Sequence, residues 1–325
     1  MNISNATIVQ KAGMITTGTV TAGLLNPGQA RTFLKQTFDS TPLSALVRRV
    51  MKRERKGEID KIGIDARILR KKIEGMDAKG DGSPPTLDPA TGRIVGYRAS
   101  PKFGKIEYST EQVRLPWEVS NDTLRENIEG ENLAAVITNL MTTQLGQDLE
   151  DIFLHGDMNT PVTDPDYDFL KINDGWIKQI ADGGHIYNAS AYSGMKLDMF
   201  YGAVAAMPNK YNNDKLRWIM SPRRHQEWEL NLLNKALEKG ASVPESIYNN
   251  PASIPALKVP KMPDDIILLV DPQNLIVVNT YAVKILKADN DTESIMQDKR
   301  SYVIHLDFDN IVEELDATAI IKNIK

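Results

Sequence analysis

A chain of 325 residues with 41% hydrophobic and 25% charged content buries a sizeable core and divides into about two compact units, which excludes a disordered or fibrous protein. The absence of cysteine excludes thiol catalysis, disulfides and cysteine-ligated metal centres and points to an intracellular protein. Neither a signal-like amino terminus nor a run of about 18 apolar residues occurs, so a soluble, non-exported chain with no membrane partner is expected.

The net charge of −4 conceals a segregation. Residues 1–125 hold 21 Lys/Arg against 13 Asp/Glu, and the remainder hold 18 against 30, so the two parts are +8 and −12. The cheapest partner of opposite sign for each part is another copy of the same chain.

In chain order, the first 45 residues, with "TTGTVTAGLLNPGQ", read as an extended arm carrying a short helical stretch through Phe33, Leu34 and Phe38. "STPLSALVRRVMKRERKG" reads as a second helix ended by Gly57. From Ile59 to about Trp117, "KIGIDARILRKKI" and "GKIEYSTEQVRLPWEV" alternate like strands around a centre that is almost all turn chemistry, "EGMDAKGDGSPPTLDPATGRIVG". Two such strands make a long hairpin, which needs something outside itself to pack against. A helix is then expected over Asn127–His155, about 40 Å long and stopped by Gly156. Its apolar residues Leu133, Ile137, Met141, Leu145, Leu149 and Phe153 recur every four positions, so the stripe winds about 40° per step around the rod. Residues 157–192 read as loop-rich. A mixed α/β unit follows: helix Leu197–Met207, strand "LRWIMS", helix Pro222–Lys239, the strands "DDIILLV", "NLIVV" and "YAVKILK", and two more strands in the tail.

Chemistry-bearing residues are few. Asp148, Asp151 and His155 stand at i, i+3 and i+7 on one side of the long helix, a spacing that permits a metal. They sit opposite the apolar stripe, where any half-buried helix shows charge, so the sequence assigns them to its wet face, with His155 at the negative end of the dipole. "GMDAKGD" lacks the lysine of a phosphate loop, "DAKGDG" has Lys79 at a calcium-ligand position, and "DPDYD" is at most a surface ion site. No G-x-S-x-G, H-E-x-x-H or dinucleotide fingerprint is present, and His185, His225 and His305 stand alone as surface or satisfied residues. The basic run Arg48, Arg49, Lys52, Arg53, Arg55, Lys56 has no interleaved aromatics, which leaves phosphate contact, a solvated helix face or a subunit contact.

The order of parts is more telling than any motif. A flexible arm, a long two-stranded loop, "WEVSNDTLRENIEG" leading into one long helix ending "DLEDIFLHGD", then "FLKINDGW", "SPRRHQEWE" after "LRWIM", and a terminal "DNIVEELDATAIIKN" resemble the major capsid proteins of tailed bacteriophages, the Hong Kong 97 fold, over about residues 25–325. The resemblance implies an α+β subunit with an amino-terminal arm over 1–58 and an extended β-hairpin loop over 59–116. It further implies a peripheral domain over 117–178 and 288–325, with spine helix 127–155, and an α/β axial domain over 179–287. It implies hexamers and pentamers of an icosahedral virion shell that packages double-stranded DNA without sequence specificity. Such a shell is assembled in the host bacterial cytoplasm with scaffold, portal and decoration proteins as possible partners. No cofactor, metal or catalytic residue is implied. The arm begins close to Met1, so a separate scaffold or none is expected. Some relatives cross-link through a Lys and an Asn; Lys71, Lys72 and Lys79 lie in the loop, but no pairing Asn is identifiable and the link is not carried over. The candidate subunit contacts are Arg48, Arg49, Arg67, Arg70, Lys71, Lys72, Lys79 and Asp81. Two alternatives stand beside this reading. One is an encapsulin-type nanocompartment shell, and the other a metal-dependent hydrolase using Asp148, Asp151, His155 and the acids near Asp164.

Overall fold

The computed structural model describes residues 42–63, 86–88, 93–95, 102–126, 132–239, 250–281, 284–288 and 292–325. Strands are β1 (Arg48–Met51), β2 (Lys56–Gly63), β3 (Thr86–Asp88), β4 (Arg93–Val95), β5 (Lys102–Ser109), β6 (Glu111–Ser120), β7 (His185–Asn188), β8 (Arg217–Met220), β9 (Ala256–Lys258), β10 (Ile267–Val270), β11 (Leu275–Asn279), β12 (Lys284–Ala288), β13 (Lys299–Val312) and β14 (Ala319–Lys322). Helices are α1 (Asn121–Glu126), α2 (Asn132–His155), α3 (Tyr167–Leu170), α4 (Trp176–Gly183), α5 (Leu197–Ala206), α6 (Pro222–Lys239) and α7 (Thr292–Met296).

Two compact units result, residues 56–108 and the remainder. In the smaller, β2 pairs with β5 and β3 pairs antiparallel with β4. Two-stranded ribbons have too little facing surface to bury their side chains, and Ile62 and Phe103 are accordingly exposed.

The larger unit is built on two five-stranded sheets. In the first, the long strand β13 is central: β6 pairs with it antiparallel along Lys299–Phe308, β12 along Ser301–His305 and β11 along Val278–Leu275 against Asp309–Val312. The second has the order β7-β14-β10-β8-β9, with β7 parallel to β14 and β9 parallel to β8. A parallel pair needs a crossover, and α6 lies in the one between β8 and β9. Alternation sends Ile219, Leu268, Val270 and Ile320 to one face of this sheet, where they meet Trp176 and Ile180 of α4. Trp218, Met220, Leu269 and Ile321 point to the other face, covered by α5 and α6. There Phe200 meets Trp218 and Trp228 edge-on, with ring centroids 4.9 and 5.1 Å apart.

Helix α2 carries the stripe read from the sequence. Leu133 and Phe153 are buried, and Ile137, Met141, Leu145 and Leu149 pack half-buried against the first cluster. Phe153 meets Phe308 and Trp176 at 5.2 and 5.4 Å. Three expectations need correction. The polar side of the helix is wet only in part: Asp148, Asp151 and His155 are half-buried, but Gln147 is 7% and Glu150 1% exposed, the latter beneath the segment around Leu43–Val47, whose Ser44 N–H donates to it. The helix expected in "STPLSALVRRVMKRERKG" is instead a turn at residues 42–46 followed by β1. Helical propensity over a few residues is worth less than a full ladder, and β1 runs in parallel register with β11 from Arg48↔Ile276 to Met51↔Asn279, along a strand whose first four residues are buried. The loop-rich reading of 157–192 hides α4, whose eight residues are too few for a helical period to stand out between Gly175 and Gly184.

Candidate functional site

The trio on α2 is engaged by neighbours rather than converging on a common point. Gln144 donates to Asp148 at 2.7 Å, Lys261 donates to Asp151 at 3.2 Å, and His155 Nε2 bonds the Lys261 carbonyl at 2.7 Å while lying 3.9 Å from Asp151. Burial pushes the Asp148 carboxyl above its usual range, against the opposing bond from Gln144 and the charge of Lys261. Asp151 and His155 therefore fasten the end of the helix to the segment that precedes β10, while Asp148 is bonded within the helix. Among the described residues, no group of three or more His, Asp or Glu could hold a metal. A cavity of about 520 Å³ beside α5 is lined by Tyr201, Val204, Asn212, Asn213, Asp214 and Leu216 among others, with a single carboxylate and no histidine.

Beyond His155 two backbone segments come into close contact. The Gly156 N–H donates to Ile152 at 3.0 Å, and the Gly175 N–H donates to the Gly156 carbonyl at 2.7 Å. A Cβ on Gly156 would overlap the Asn173 carbonyl oxygen and lie 2.9 Å from that of Ile152; one on Gly175 would lie 2.7 Å from the Gly156 nitrogen. Gly156 is not in the left-handed region. Glycine is required here for contact, not for the backbone angle that usually places it after a helix. Fully buried Asn310 bridges the joint, donating to the Asp174 carbonyl at 2.8 Å and accepting from Asn173 at 2.9 Å. Lys178 closes it by donating to Asp157 and Asp174 at 2.5 and 2.8 Å. The bond from Lys178 holds Asp157 below the usual carboxylate range, and the same bonds raise Lys178 against the opposing effect of burial.

A second polar cluster holds the ends of the chain that flank residues 56–108. Thr110 N–H donates to Arg55 at 2.8 Å, and Ser109 N–H donates to Asp309 at 2.7 Å. Asp307, fully buried, accepts from the Thr110 hydroxyl at 3.3 Å, from Thr280 N–H at 2.9 Å and from the Thr280 hydroxyl. These alternate residues of β13 spend their carboxylates on backbone and hydroxyl donors and, for Asp309, on the Asn173 amide, as buried acids must. Nothing in the sequence marked Asp307 or Asp309 for this; "LDFDN" reads only as a strand with acids at every second place.

Of the candidate contact residues, Arg48 pairs with Glu313 at 2.8 Å, and Arg49 donates to the Ser44 carbonyl at 3.5 Å from an exposed position. Arg67, Arg70, Lys71, Lys72, Lys79 and Asp81 lie outside the described residues. The sequence reading missed a different surface. On α6, Leu230, Leu233 and Leu237 are 56, 44 and 70% exposed at i, i+3 and i+7, a stripe turned away from the face that buries Trp228 and Ala236. Ile285 and Leu286 on β12, and Ile295 and Met296 on α7, are exposed as well. Helical spacing in "WELNLLNKAL" could have revealed the α6 stripe, since its apolar residues exceed one face.

No family model matches the chain. A protein of Bacillus subtilis (strain 168) named for a prophage capsid, YqbE, is 24% identical over 337 residues, covering 99% of each chain. The capsid of an empty GTA particle is similar over 96% of this chain and 100% of its own, at 11% identity and a TM-score of 0.62. The holo-SrpI encapsulin complex of Synechococcus elongatus PCC 7942 is similar over 96% of both chains, at 11% identity and a TM-score of 0.57. The chain has the Hong Kong 97 capsid fold of tailed bacteriophages.

Proposed function

We propose that this chain is the major capsid protein of a tailed phage or prophage, a structural subunit that self-assembles into an icosahedral head around double-stranded DNA. The observation that carries the reading is the apolar surface left open by a fold whose core is otherwise closed: three leucines along α6, and Ile285, Leu286, Ile295 and Met296 around β12 and α7. Surface of this kind on a soluble chain marks contacts with other molecules, and a closed shell supplies them as neighbouring copies. The full-length likeness to a prophage capsid protein supports the same reading.

On this reading the role is structural, and hexamers and pentamers are the working oligomers of a virion assembled in the host cytoplasm. The arm (1–58) and the loop (59–116) reach neighbouring subunits. The peripheral (117–178 and 288–325) and axial (179–287) domains form the shell wall, with scaffold, portal and decoration proteins as further partners. Arg67, Arg70, Lys71, Lys72, Lys79 and Asp81 contribute charged contacts from the loop, and Arg49 contributes one from β1. The likeness to an encapsulin favours a second reading in the same class, a nanocompartment shell enclosing protein cargo.

Electron microscopy of the purified protein, with and without scaffold, tests the proposal, and nucleic acid extracted from particles made in cells separates the two shells. Closed shells or five- and six-membered rings are expected, and Leu233→Asp with Leu237→Asp abolishes them while leaving the circular-dichroism spectrum unchanged. A strictly monomeric protein at high concentration under both conditions refutes it.

A further inference from the structure

Helix α2 carries a buried carboxylate, between its apolar stripe and its polar side, with an unusual set of neighbours. Glu150 is 1% exposed, and one of its oxygens, Oε1, has no hydrogen-bond partner among the described residues. The other accepts from the Ser44 N–H at a long 3.4 Å, and the Ser44 hydroxyl and the Leu43 N–H also favour the charged carboxylate. The cover over it is the turn at residues 42–46, closed by Leu46 and Val47 N–H groups donating to the Leu43 carbonyl at 2.9 and 3.2 Å. Leu43 is fully buried and Val47 7% exposed, so the turn is docked by apolar contact and roofs an incompletely solvated acid.

We propose that Glu150 makes the docking of Leu43–Val47 on the spine helix proton-dependent, the segment being held when Glu150 is protonated and loosened when it is ionised. A half-satisfied buried carboxylate disfavours its charged form, and lifting the turn returns that charge to water. Desolvation is indeed the largest influence on Glu150 and raises its pKa; the Ser44 and Leu43 donors and the charge of Lys261 oppose it without cancelling it. The sign follows. A raised carboxyl pKa in the docked state means that docking binds a proton, so its strength is greatest at low pH and declines as pH rises through the window above the ordinary carboxylate value. The groups facing Glu150 are Leu43 and Ser44 from the turn and Lys261 from the segment before β10, whose ammonium is shared with Asp151. Asp148 on the same helix is bonded to Gln144, and Arg48 is turned to Glu313.

The inference concerns the subunit alone and stands whether or not the shell reading does. Hydrogen exchange of the amides of residues 43–47, followed by mass spectrometry between about pH 5 and 8 and corrected for intrinsic exchange, measures the opening directly. In the unmodified protein the opening constant rises with pH, by up to about tenfold per unit for one coupled proton. In Glu150→Gln, which keeps the shape and removes the titration, it is flat. Lys261→Met provides a second measurement should the glutamine variant fail to fold: losing the nearby positive charge moves the midpoint to higher pH. An opening constant independent of pH in the unmodified protein, the same slope in Glu150→Gln, or an unmoved midpoint in Lys261→Met overturns the proposal.

Discussion

Replacing Gly156 by alanine separates two reasons for a glycine after a helix. If the residue served to adopt a left-handed cap, alanine would cost about 1 kcal/mol and asparagine less. The structure gives a different reason, since a Cβ there meets carbonyl oxygens of Asn173 and Ile152 that belong to backbone and cannot rotate away. Overpacking costs about 1–3 kcal/mol, and with rigid atoms on two sides the upper end applies, about 3 kcal/mol. At roughly 2–4 °C per kcal/mol for a unit of this size, Gly156→Ala lowers Tm by roughly 6–12 °C, and Gly156→Asn lowers it at least as far. Gly146, ten residues earlier in the same helix, has open space where its Cβ would be. Gly146→Ala therefore raises stability by up to about 1 kcal/mol, since only the propensity difference remains. Differential scanning calorimetry on the unassembled subunit reads all three. A Gly156→Asn variant more stable than Gly156→Ala, or a Gly146→Ala variant that loses stability, refutes the close-contact argument.

Other expectations can be checked in the same subunit. Asn310→Ala removes the Asn310 bonds to the Asp174 carbonyl and the Asn173 amide in a buried joint, while Gln179 and Asp309 still serve those two groups, so a loss of about 0.5–1.5 kcal/mol per bond is expected in urea unfolding. His225 is fully buried and burial holds its imidazole below the usual range, so folding excludes a proton and stability falls as pH drops below about 6.5; His225→Gln flattens that part of the stability–pH curve. Asp157 is shifted the other way for an acid, its low pKa adding stability that is present above about pH 4 and lost as pH falls through the folded value, a contribution absent from Asp157→Asn. Arg70→Glu, Lys71→Glu and Lys72→Glu together leave the fold intact and suppress assembly followed by light scattering; assembly at the normal rate and yield counts against the charge reading of the loop.

What the sequence revealed follows from what periodicity can encode. The four-residue repeat from Leu133 to Phe153 and the alternation in "RWIM" and "IILLV" are one-dimensional records of a face, and α6 and the stripe of α2 are where those records place them. The burial of Glu150 has no such record, because it depends on a turn some hundred residues away in the chain. β1 was hidden for the same reason: "RRVM" is neither a good helix nor a good strand alone, and the buried strand β11 decides it. Gly156 shows the converse, a residue placed correctly at a helix end for a reason invisible in sequence, the carbonyl of Asn173.

The charge segregation changes meaning once pairs are located. Read from composition, the basic first third and acidic remainder attract only between copies. Arg48, however, meets Glu313 in its own chain, with side chains 37 and 29% exposed, so this basic residue is answered across β1 and the end of β13 without a neighbour. In the smaller unit Lys105 pairs with Glu58 in the same way. Exposed pairs contribute only about 0–1 kcal/mol each, and each one satisfied within the chain removes a charge from the attraction between copies. The stripe of Leu230, Leu233 and Leu237 has no such outlet. Burying apolar area is worth roughly 25 cal/mol per Å² and is not screened by salt. If the shell reading holds, apolar contact therefore supplies most of the cohesion between copies, and the remaining loop charges govern how fast and in which orientation they meet. Raised salt should then slow the earliest association while leaving finished shells intact, and shells that dissolve in salt would reverse that order of importance.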